Sequence, residues 1–206
     1  MTNTLNTPDA VPSQLMSFEE FFDYDDGTEN RYELEDGRLR LMPTESEINR
    51  RIASFLFAYF LQLGIPFYRL SMATEVAVSG TRSTVRLPDF LVLSEELAQA
   101  LDGATRSIVI LDMPPPQLVV EVVSPGEKNA QRDYRYKRSQ YQARGIAEYW
   151  IVDPMQQKIT VLNLVAGLYE EAVFSGNEVI SSPLLSEVGQ PSPLTAVQVL
   201  QAGTSG

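Results

Sequence analysis

Two acidic residues interrupt otherwise apolar segments in the middle of the chain. Glu121 lies within the segment 119–123, and Asp89 lies within 87–93, directly after Pro88. An ionised carboxylate in apolar surroundings is costly to desolvate unless something pairs with it. Two such acids on neighbouring strands would also repel each other. A divalent cation between them would relieve both penalties, whereas a buried salt bridge or an exposed strand end would explain either acid alone.

Lys137 is predicted to approach this pair from a helix. Glu121 lies three residues before the end of its strand, which is roughly 10 Å at the usual strand rise. A helix that returns from Lys128 reaches Lys137 after nine residues, roughly 13 Å along its axis, so Lys137 lies level with Glu121. Asp133, Lys137 and Tyr141 are four residues apart and share one helical face. The alternative for Asp133 and Lys137 is an ordinary intrahelical ion pair.

The chain contains neither histidine nor cysteine. Without histidine, the Ser-His-Asp and Cys-His hydrolases, the HExxH metalloproteases and most zinc sites are excluded. Any metal would be bound by oxygen, and carboxylate, carbonyl and water ligands suit Mg²⁺, Mn²⁺ or Ca²⁺. The lack of cysteine excludes disulfides and predicts a cytoplasmic location.

The net charge of −11 at pH 7 is unevenly distributed. Residues 1–37 contain ten acids and one arginine, whereas residues 127–144 contain six Lys or Arg and two acids. Because phosphate contacts require Lys and Arg, the total charge argues against loose, non-specific binding to DNA. In the basic segment, Arg135 and Arg138 are candidate phosphate contacts, with a solvated helix face as the alternative.

The length of 206 residues and the hydrophobic fraction of 44% indicate one globular domain. We predict a disordered arm at residues 1–14, a folded domain at 15–180 and a weakly ordered tail at 181–206, which is rich in Pro, Ser and Gly. No apolar run approaches the roughly 20 residues that cross a bilayer, and the first residues lack the features of a signal peptide. We therefore expect no membrane partner.

The elements that position the acids follow from periodicity and turn residues. Ser17 and Glu20 form a capping-box pattern, apolar residues recur at helical spacing after residue 45, and glycine ends the two longer helices. The helices are predicted at 17–22, 45–63 and 128–144. Asp36-Gly37 marks a hairpin at 31–42, and further strands are predicted at 67–70, 75–78, 84–87, 89–93, 118–123 and 148–152, with a closing hairpin at 157–164 and 168–173.

This order of elements predicts an α/β fold with a mixed central β-sheet flanked by helices. The run 118–123 is apolar on both faces, which is typical of a strand buried on both sides. Together with the helix 128–144 and the strand 148–152 it would form a right-handed crossover unit.

Five short motifs occur in a specific order: YELEDG at 32–37, VRLPD at 85–89, VVEVVSP at 119–125, the Asp133–Lys137–Tyr141–Gly145 series, and EYWIVDP at 148–154. In this order and spacing they resemble the Uma family of predicted endonucleases, which was formerly a domain of unknown function and is common in cyanobacteria. The resemblance covers roughly residues 17–175. The family belongs to the restriction-endonuclease-like, PD-(D/E)xK superfamily.

The resemblance implies roles for specific residues. Asp89 would be the acid of the PD motif and Glu121 the second acid, and together they would bind Mg²⁺ or Mn²⁺. The usual lysine position, two residues beyond the second acid, is Val123 here, so the resemblance implies that Lys137 supplies the ammonium group. Glu33 matches the acid of the hairpin motif as a further catalytic residue, although an acid beside an Asp-Gly turn could simply be solvated.

The implied activity is metal-dependent hydrolysis of phosphodiester bonds in nucleic acid, with DNA as the first candidate, by a cytoplasmic homodimer. Many relatives have a histidine near the start of the first long helix, where this chain has Asn49. Two alternatives stay open. One is a catalytically degenerate nuclease fold that serves as a binding or regulatory module, and the other is hydrolysis of a different phosphoester, such as RNA or a nucleotide.

Overall fold

The computed structural model describes residues 15–126, 131–189 and 193–203. The predicted arm at 1–14 therefore lies outside the described residues. Within these ranges the α-helices are α1 (Phe18–Phe22), α2 (Glu47–Gln62), α3 (Glu95–Ala100), α4 (Arg138–Arg144), α5 (Pro183–Val188) and α6 (Ala196–Gln201). A 3₁₀-helix spans Phe67–Arg69, and a π-helix spans Arg132–Lys137 directly before α4. No helix in these ranges has both the length and the apolar character needed to cross a bilayer.

Eleven strands lie in the same ranges and form two mixed sheets. The strands are β1 (Tyr32–Glu35), β2 (Arg38–Leu41), β3 (Leu70–Ser71), β4 (Glu75–Val78), β5 (Thr84–Arg86), β6 (Phe90–Val92), β7 (Ile108–Val109), β8 (Leu118–Val122), β9 (Glu148–Asp153), β10 (Lys158–Val165) and β11 (Leu168–Ser175). The five-stranded sheet has the order β2-β1-β5-β4-β7, and the six-stranded sheet has the order β11-β10-β9-β8-β6-β3. The mixed α/β class is confirmed, with the strands divided between two sheets.

The centre of the six-stranded sheet is the predicted crossover unit. Strand β8 pairs in parallel with β9, so that Leu118 faces Glu148 and Val122 faces Val152, and the intervening chain includes the π-helix and α4. Parallel strands require such a crossover connection. On its other side β8 pairs antiparallel with β6, with Phe90 opposite Val120.

Strand β8 is buried on both faces, as its continuous apolar run predicts. Val120 packs into a core cluster that includes residues of α2 and α6, whereas Val119 packs on the opposite face with Tyr141 and Tyr149. Glu121 points to the same face as Val119, because side chains alternate along a strand. The acid therefore lies between the sheet and the helix that follows β8.

Local sequence signals account for several element boundaries. Ser17 caps α1 in a capping box with Glu20. Asp36 and Gly37 both have positive φ, 48° and 76°, which is the turn geometry that matches the twist of a two-residue hairpin. Helix α4 ends at Gly145, whose φ of 79° is left-handed, as glycine at a helix C-terminus allows.

Two predictions at the level of elements are wrong. Residues 67–69 form the 3₁₀-helix, not a strand, because Phe67 and Tyr68 are exposed and only Leu70 enters a sheet. The tail from residue 181, expected to be weakly ordered, contains α5 and α6 in its described part. Its Pro, Ser and Gly content concealed a small number of apolar residues, including Val199 and Leu200, that are buried in the core containing residues of α2.

Candidate functional site

The two predicted acids lie on neighbouring strands of the six-stranded sheet. Asp89 directly precedes β6, and continuing the β6–β8 register by one residue places it opposite Glu121. Directly opposite residues on antiparallel strands have their Cβ atoms about 4.5–5.5 Å apart. The Asp89 carboxylate accepts a hydrogen bond of 2.6 Å from the Val122 backbone N–H, which ties the two strand ends together.

Lys137 reaches Glu121 as the rise arithmetic predicts. Its Nζ lies 2.7 Å from Glu121 Oε2, 3.5 Å from Asp133 Oδ1 and 3.8 Å from Glu33 Oε1. Burial would lower the pKa of Lys137, but these three carboxylates outweigh it and raise the pKa. The ammonium group therefore stays charged in a buried position.

The intrahelical ion pair between Asp133 and Lys137 is present, but at 3.5 Å it is longer than the 2.7 Å contact between Lys137 and Glu121. The carboxylate of Asp133 is buried and also accepts from Arg132 Nε at 3.3 Å. Its backbone carbonyl accepts from the Tyr149 hydroxyl. Asp133 thus anchors the π-helix to the sheet while it orients Lys137. A π-helix is rare and is frequently found at functional sites.

Tyr141 completes the environment of Glu121. Its hydroxyl donates a 2.6 Å hydrogen bond to Glu121 Oε1, so both carboxylate oxygens of Glu121 have partners. Burial raises the pKa of Glu121, although Lys137 counteracts part of that effect. The pKa of Tyr141 is also raised, by burial and then by the charge of Glu121, so the tyrosine acts as a neutral donor.

Glu33 is buried, and it is not the solvated acid that its place beside the hairpin turn allowed. It accepts from Arg86 Nη1 at 3.0 Å and from the Leu87 backbone N–H at 3.1 Å. Burial would raise the pKa of Glu33, but Lys137 and Arg86 outweigh it and lower the pKa. Glu33 thus joins the hairpin to the site as an ionised group.

Arg86 is a site residue that the sequence reasoning missed. It is 1% exposed and contacts Glu33, Glu35 Oε1 at 3.0 Å and Gln140 Oε1 at 3.0 Å. The available signal was its place three residues before Asp89, between the apolar residues Val85 and Leu87. A buried arginine requires carboxylate partners, and here they come from β1.

Asn49 was noted only as a departure from the family pattern, but the structure gives it specific contacts. Its side-chain amide donates to the Val122 carbonyl at 3.0 Å and to Ser124 Oγ at 3.1 Å, while its oxygen accepts from Ser46. The backbone of Val122 is therefore held at its N–H by Asp89 and at its carbonyl by Asn49. These contacts attach the start of α2 to the end of the strand that carries Glu121.

The site opens into a cleft of about 360 Å³. Asp89, Glu121 and Lys137 line it together with two further cations, Arg31 and Arg132. Its remaining lining comes from both ends of the β1–β2 hairpin, the start of α2, the residue after β3, the β5–β6 connection and the end of β8: Glu29, Asn30, Met42, Pro43, Thr44, Glu45, Asn49, Met72, Leu87, Pro88, Val122 and Ser124. The predicted phosphate contacts Arg135 and Arg138 do not line the cleft. Arg138 pairs with Glu171.

Negative charge is in excess at Asp89. Burial and the charge of Glu121 raise its pKa well above the ordinary value. Asp89 forms no ion pair with any Lys or Arg in the described ranges. A divalent cation would neutralise this excess.

The donor set fits a hard cation of the Mg²⁺ class. Asp89 and Glu121 offer oxygen on adjacent strands, and Mg²⁺ is typically bound by one or two carboxylates together with water and substrate phosphate. No third Asp or Glu in the described part of the chain joins them to form a three-residue metal site. The protein ligands would therefore be these two acids, with the other positions left to water and substrate.

Comparisons with known proteins show the family and the fold of the chain. A family model named Uma2 and described as "Putative restriction endonuclease" matches residues 18–196. A solved structure described as a "putative nuclease belonging to DUF820" from Anabaena variabilis ATCC 29413 is similar in fold. It has a TM-score of 0.68 at 15% sequence identity, and the match covers 92% of this chain and 99% of the other. No curated protein matches the chain.

Proposed function

Because this chain belongs to the Uma2 family of restriction-endonuclease-like proteins, we propose that it is a metal-dependent endonuclease that hydrolyses phosphodiester bonds of nucleic acid. We propose Asp89 and Glu121 as the ligands of Mg²⁺ or Mn²⁺, Lys137 as the catalytic cation and Glu33 as the acid that helps to hold that cation. We further propose DNA as the substrate and a cytoplasmic homodimer as the working form.

The observation that supports this proposal most directly is the contact between Lys137 and Glu121 at 2.7 Å, beside Asp89, in an open cleft. The signature of the superfamily requires two acids and a lysine, and Val123 occupies the usual lysine position. Lys137 arrives at the second acid from the following helix. The three groups come together although they are separated by up to 48 residues in the sequence.

The residues of the chain have distinct tasks in this proposal. Lys137 directs a fixed positive charge at the place where negative charge develops on the phosphate, and such preorganised charge needs no rearrangement during the reaction. Glu33 and Asp133 keep the lysine charged and in place. The Val122 backbone N–H orients the Asp89 carboxylate. A bound Mg²⁺ ion would add Lewis-acid stabilisation of the phosphate and would lower the pKa of a coordinated water.

The test is cleavage of labelled DNA by the full chain with Mg²⁺ or Mn²⁺, compared with EDTA. We expect metal-dependent cleavage that falls at least a hundredfold in Asp89→Asn and in Glu121→Gln, more than the roughly 10–100-fold that loss of an outer-shell partner costs. The matched control is Asp102→Asn, because Asp102 is an exposed acid that does not line the cleft. Cleavage that persists in Asp89→Asn would contradict the proposal.

One observation favours a second candidate, a nuclease fold that acts as a binding module without catalysis. Both oxygens of Glu121 already have protein partners, Lys137 and Tyr141, so this acid is satisfied as a structural group. Such a module would bind nucleic acid equally well with and without Mg²⁺ and would cut neither DNA nor RNA. Metal-dependent cleavage of either polymer excludes the module.

A homodimer is tested by light scattering coupled to size-exclusion chromatography. A mass of twice 23.0 kDa at micromolar concentration is the expected result, and a mass of 23.0 kDa would contradict this part of the proposal.

A further inference from the structure

A second hollow adjoins the cleft. It has a volume of about 220 Å³ and shares Asn30, Arg31 and Leu87 with the cleft that contains the acids. The two spaces are therefore neighbours across the segment that leads into β1. A ligand that occupies the cleft can continue over Arg31 into the second hollow.

Two tyrosines line the second hollow. Tyr24 and Tyr32 are only partly buried, and their rings meet edge to face with centroids 5.5 Å apart. The hydroxyl of Tyr32 donates to Asp26, which fixes that ring. Partly exposed aromatic rings next to an arginine such as Arg31 are a platform on which unpaired bases can stack.

Two arginines stand on different elements around the acids. Arg31 lies before β1 and lines both hollows, and its guanidinium has no hydrogen bond or ion pair with any described residue. Arg132 comes from the π-helix and pairs at 3.3 Å with Asp133, the residue next to it. Arg31 in particular is available to a phosphate group.

The other cations, including Arg106 in the second hollow, are largely engaged within the protein. Ion pairs with acids engage Arg40, Arg50, Arg51, Arg106 and Arg138. With a net charge of −11, the chain as a whole repels the phosphate backbone. The described residues therefore offer two or three phosphate contacts at the cleft, far short of the 6–10 that a tightly bound duplex can use.

The reactive groups are also recessed. Glu121 is 3% exposed and Lys137 is 2% exposed, and the cleft volume is at the small end of the roughly 300–1,000 Å³ range of small-molecule pockets. A single strand is narrower and more flexible than a duplex, so it can bring its backbone into a recessed cleft of this volume more readily.

We propose that the cleft and the second hollow together bind one unpaired nucleic-acid strand, with phosphates at Arg31 and Arg132 and a base stacked against Tyr24 and Tyr32. The claim that the bound strand is then cleaved rests on the proposed nuclease function, but binding of the strand can be measured without cleavage. It assigns single-stranded nucleic acid as the substrate class and the second hollow as a base subsite.

Binding is measured by fluorescence anisotropy of a short labelled DNA strand with the full chain in EDTA, and an RNA strand and the annealed DNA duplex are run in parallel. The single strand should bind at least about tenfold more tightly than the duplex. With two or three phosphate contacts, log K should fall with log [salt] at a slope of about −1.4 to −2.1, from about −0.7 per contact for single strands. Tighter binding of the RNA strand than of the DNA strand would support the strand proposal and would identify the bound strand as RNA.

Variants locate the strand. Tyr24→Ala should weaken single-strand binding at least about fivefold, the lower end of the contribution of one stacked base, and Tyr24→Phe should restore it. Arg31→Ala should weaken binding and make the salt slope shallower by about 0.7. The matched controls are Tyr68→Ala and Arg38→Ala, because both residues are exposed and line neither hollow, and both should bind like wild type.

Cleavage in Mg²⁺ separates the two proposals. Faster cutting of the single strand that depends on Asp89 and is weakened by Tyr24→Ala supports both. If duplex is cut as fast as single strand, and neither Tyr24→Ala nor Arg31→Ala has an effect, the nuclease proposal is retained and the strand proposal is overturned. Strand binding that is lost in those variants but without cleavage supports the strand proposal and overturns the nuclease. Absence of single-strand binding overturns the strand proposal.

Discussion

Glu121 and Glu148 are both buried acids within apolar strands, and these strands are neighbours in one sheet. They are 3% and 2% exposed, and burial raises the pKa of both carboxyl groups. Their partners differ. Glu121 contacts the cation Lys137 and opens to the cleft, whereas Glu148 accepts from Trp150 Nε1 and from the backbone N–H of Leu184 and does not line the cleft.

The position of each acid along its strand explains the difference. Glu148 is the first residue of β9 and accepts a hydrogen bond from the first turn of α5. It therefore joins that C-terminal helix to the sheet. Glu121 lies near the carboxyl end of β8, which is parallel to β9. Ligands of open α/β sheets bind outside the carboxyl ends of the strands. A buried strand acid is thus a site residue only where a cation and an opening accompany it.

The largest expected difference between the surroundings of Glu121 and those of Glu148 is the loss of cleavage activity in the variant Lys137→Arg. A planar guanidinium keeps the charge but cannot replace the compact ammonium, so the cleavage rate should fall about a hundredfold while the protein stays folded. Single-turnover cleavage and thermal unfolding measure the two effects. Lys137→Ala is the poorer test, because it would leave Glu33, Glu121 and Asp133 without a buried cation and destabilise the fold. A rate within threefold of wild type for Lys137→Arg would make Lys137 structural.

Metal binding should distinguish the two acids next. An ion that binds only the folded state stabilises it by mass action, so Mg²⁺ at a hundred times its Kd should raise Tm by about 5–10 °C. The shift should disappear in Glu121→Gln and persist in Glu148→Gln, as measured by differential scanning calorimetry. A shift that survives in Glu121→Gln would place the ion elsewhere.

Glu148→Ala tests the structural half of the comparison. It removes the acceptor for the Trp150 indole and the Leu184 amide, and leaving such donors buried without a partner costs about 1–3 kcal/mol of unfolding free energy. Urea denaturation measures the loss. Cleavage per folded molecule should stay within threefold of wild type, and a larger drop would mean that Glu148 also supports the site.

The smallest expected effect is a pH-dependent change in stability in Glu33→Gln. The pKa of Glu33 is lowered in the folded protein, so its ionised form stabilises the fold above the ordinary value of 4.5, and that stability is lost as the pH falls. Glu33→Gln should therefore unfold about 1 kcal/mol more easily at pH 7, and the difference should shrink below pH 4.5. Glu170→Gln, at an exposed position, is the control for total charge.

Much of the fold and part of the site followed from local patterns. The hairpin around Asp36-Gly37, helix α2 and the doubly buried strand β8 were predicted because turn residues and apolar periodicity act over a few residues. The approach of Lys137 to Glu121 was predictable for a related reason, since one short connection and two known rises determine how far the returning helix extends.

The sequence by itself thus determined most of the elements, excluded histidine and cysteine chemistry, and identified the two acids and the lysine as candidates. Only the tertiary structure decided which groups meet them. Arg86 and Glu33 are 53 residues apart, and Asn49 and Val122 are 73 apart. Contacts over such separations depend on how the sheets and helices pack, which no local pattern specifies. The same packing placed Arg31 in the cleft with the acids, placed Tyr24 and Tyr32 in the adjoining hollow, and buried apolar residues of the C-terminal helices.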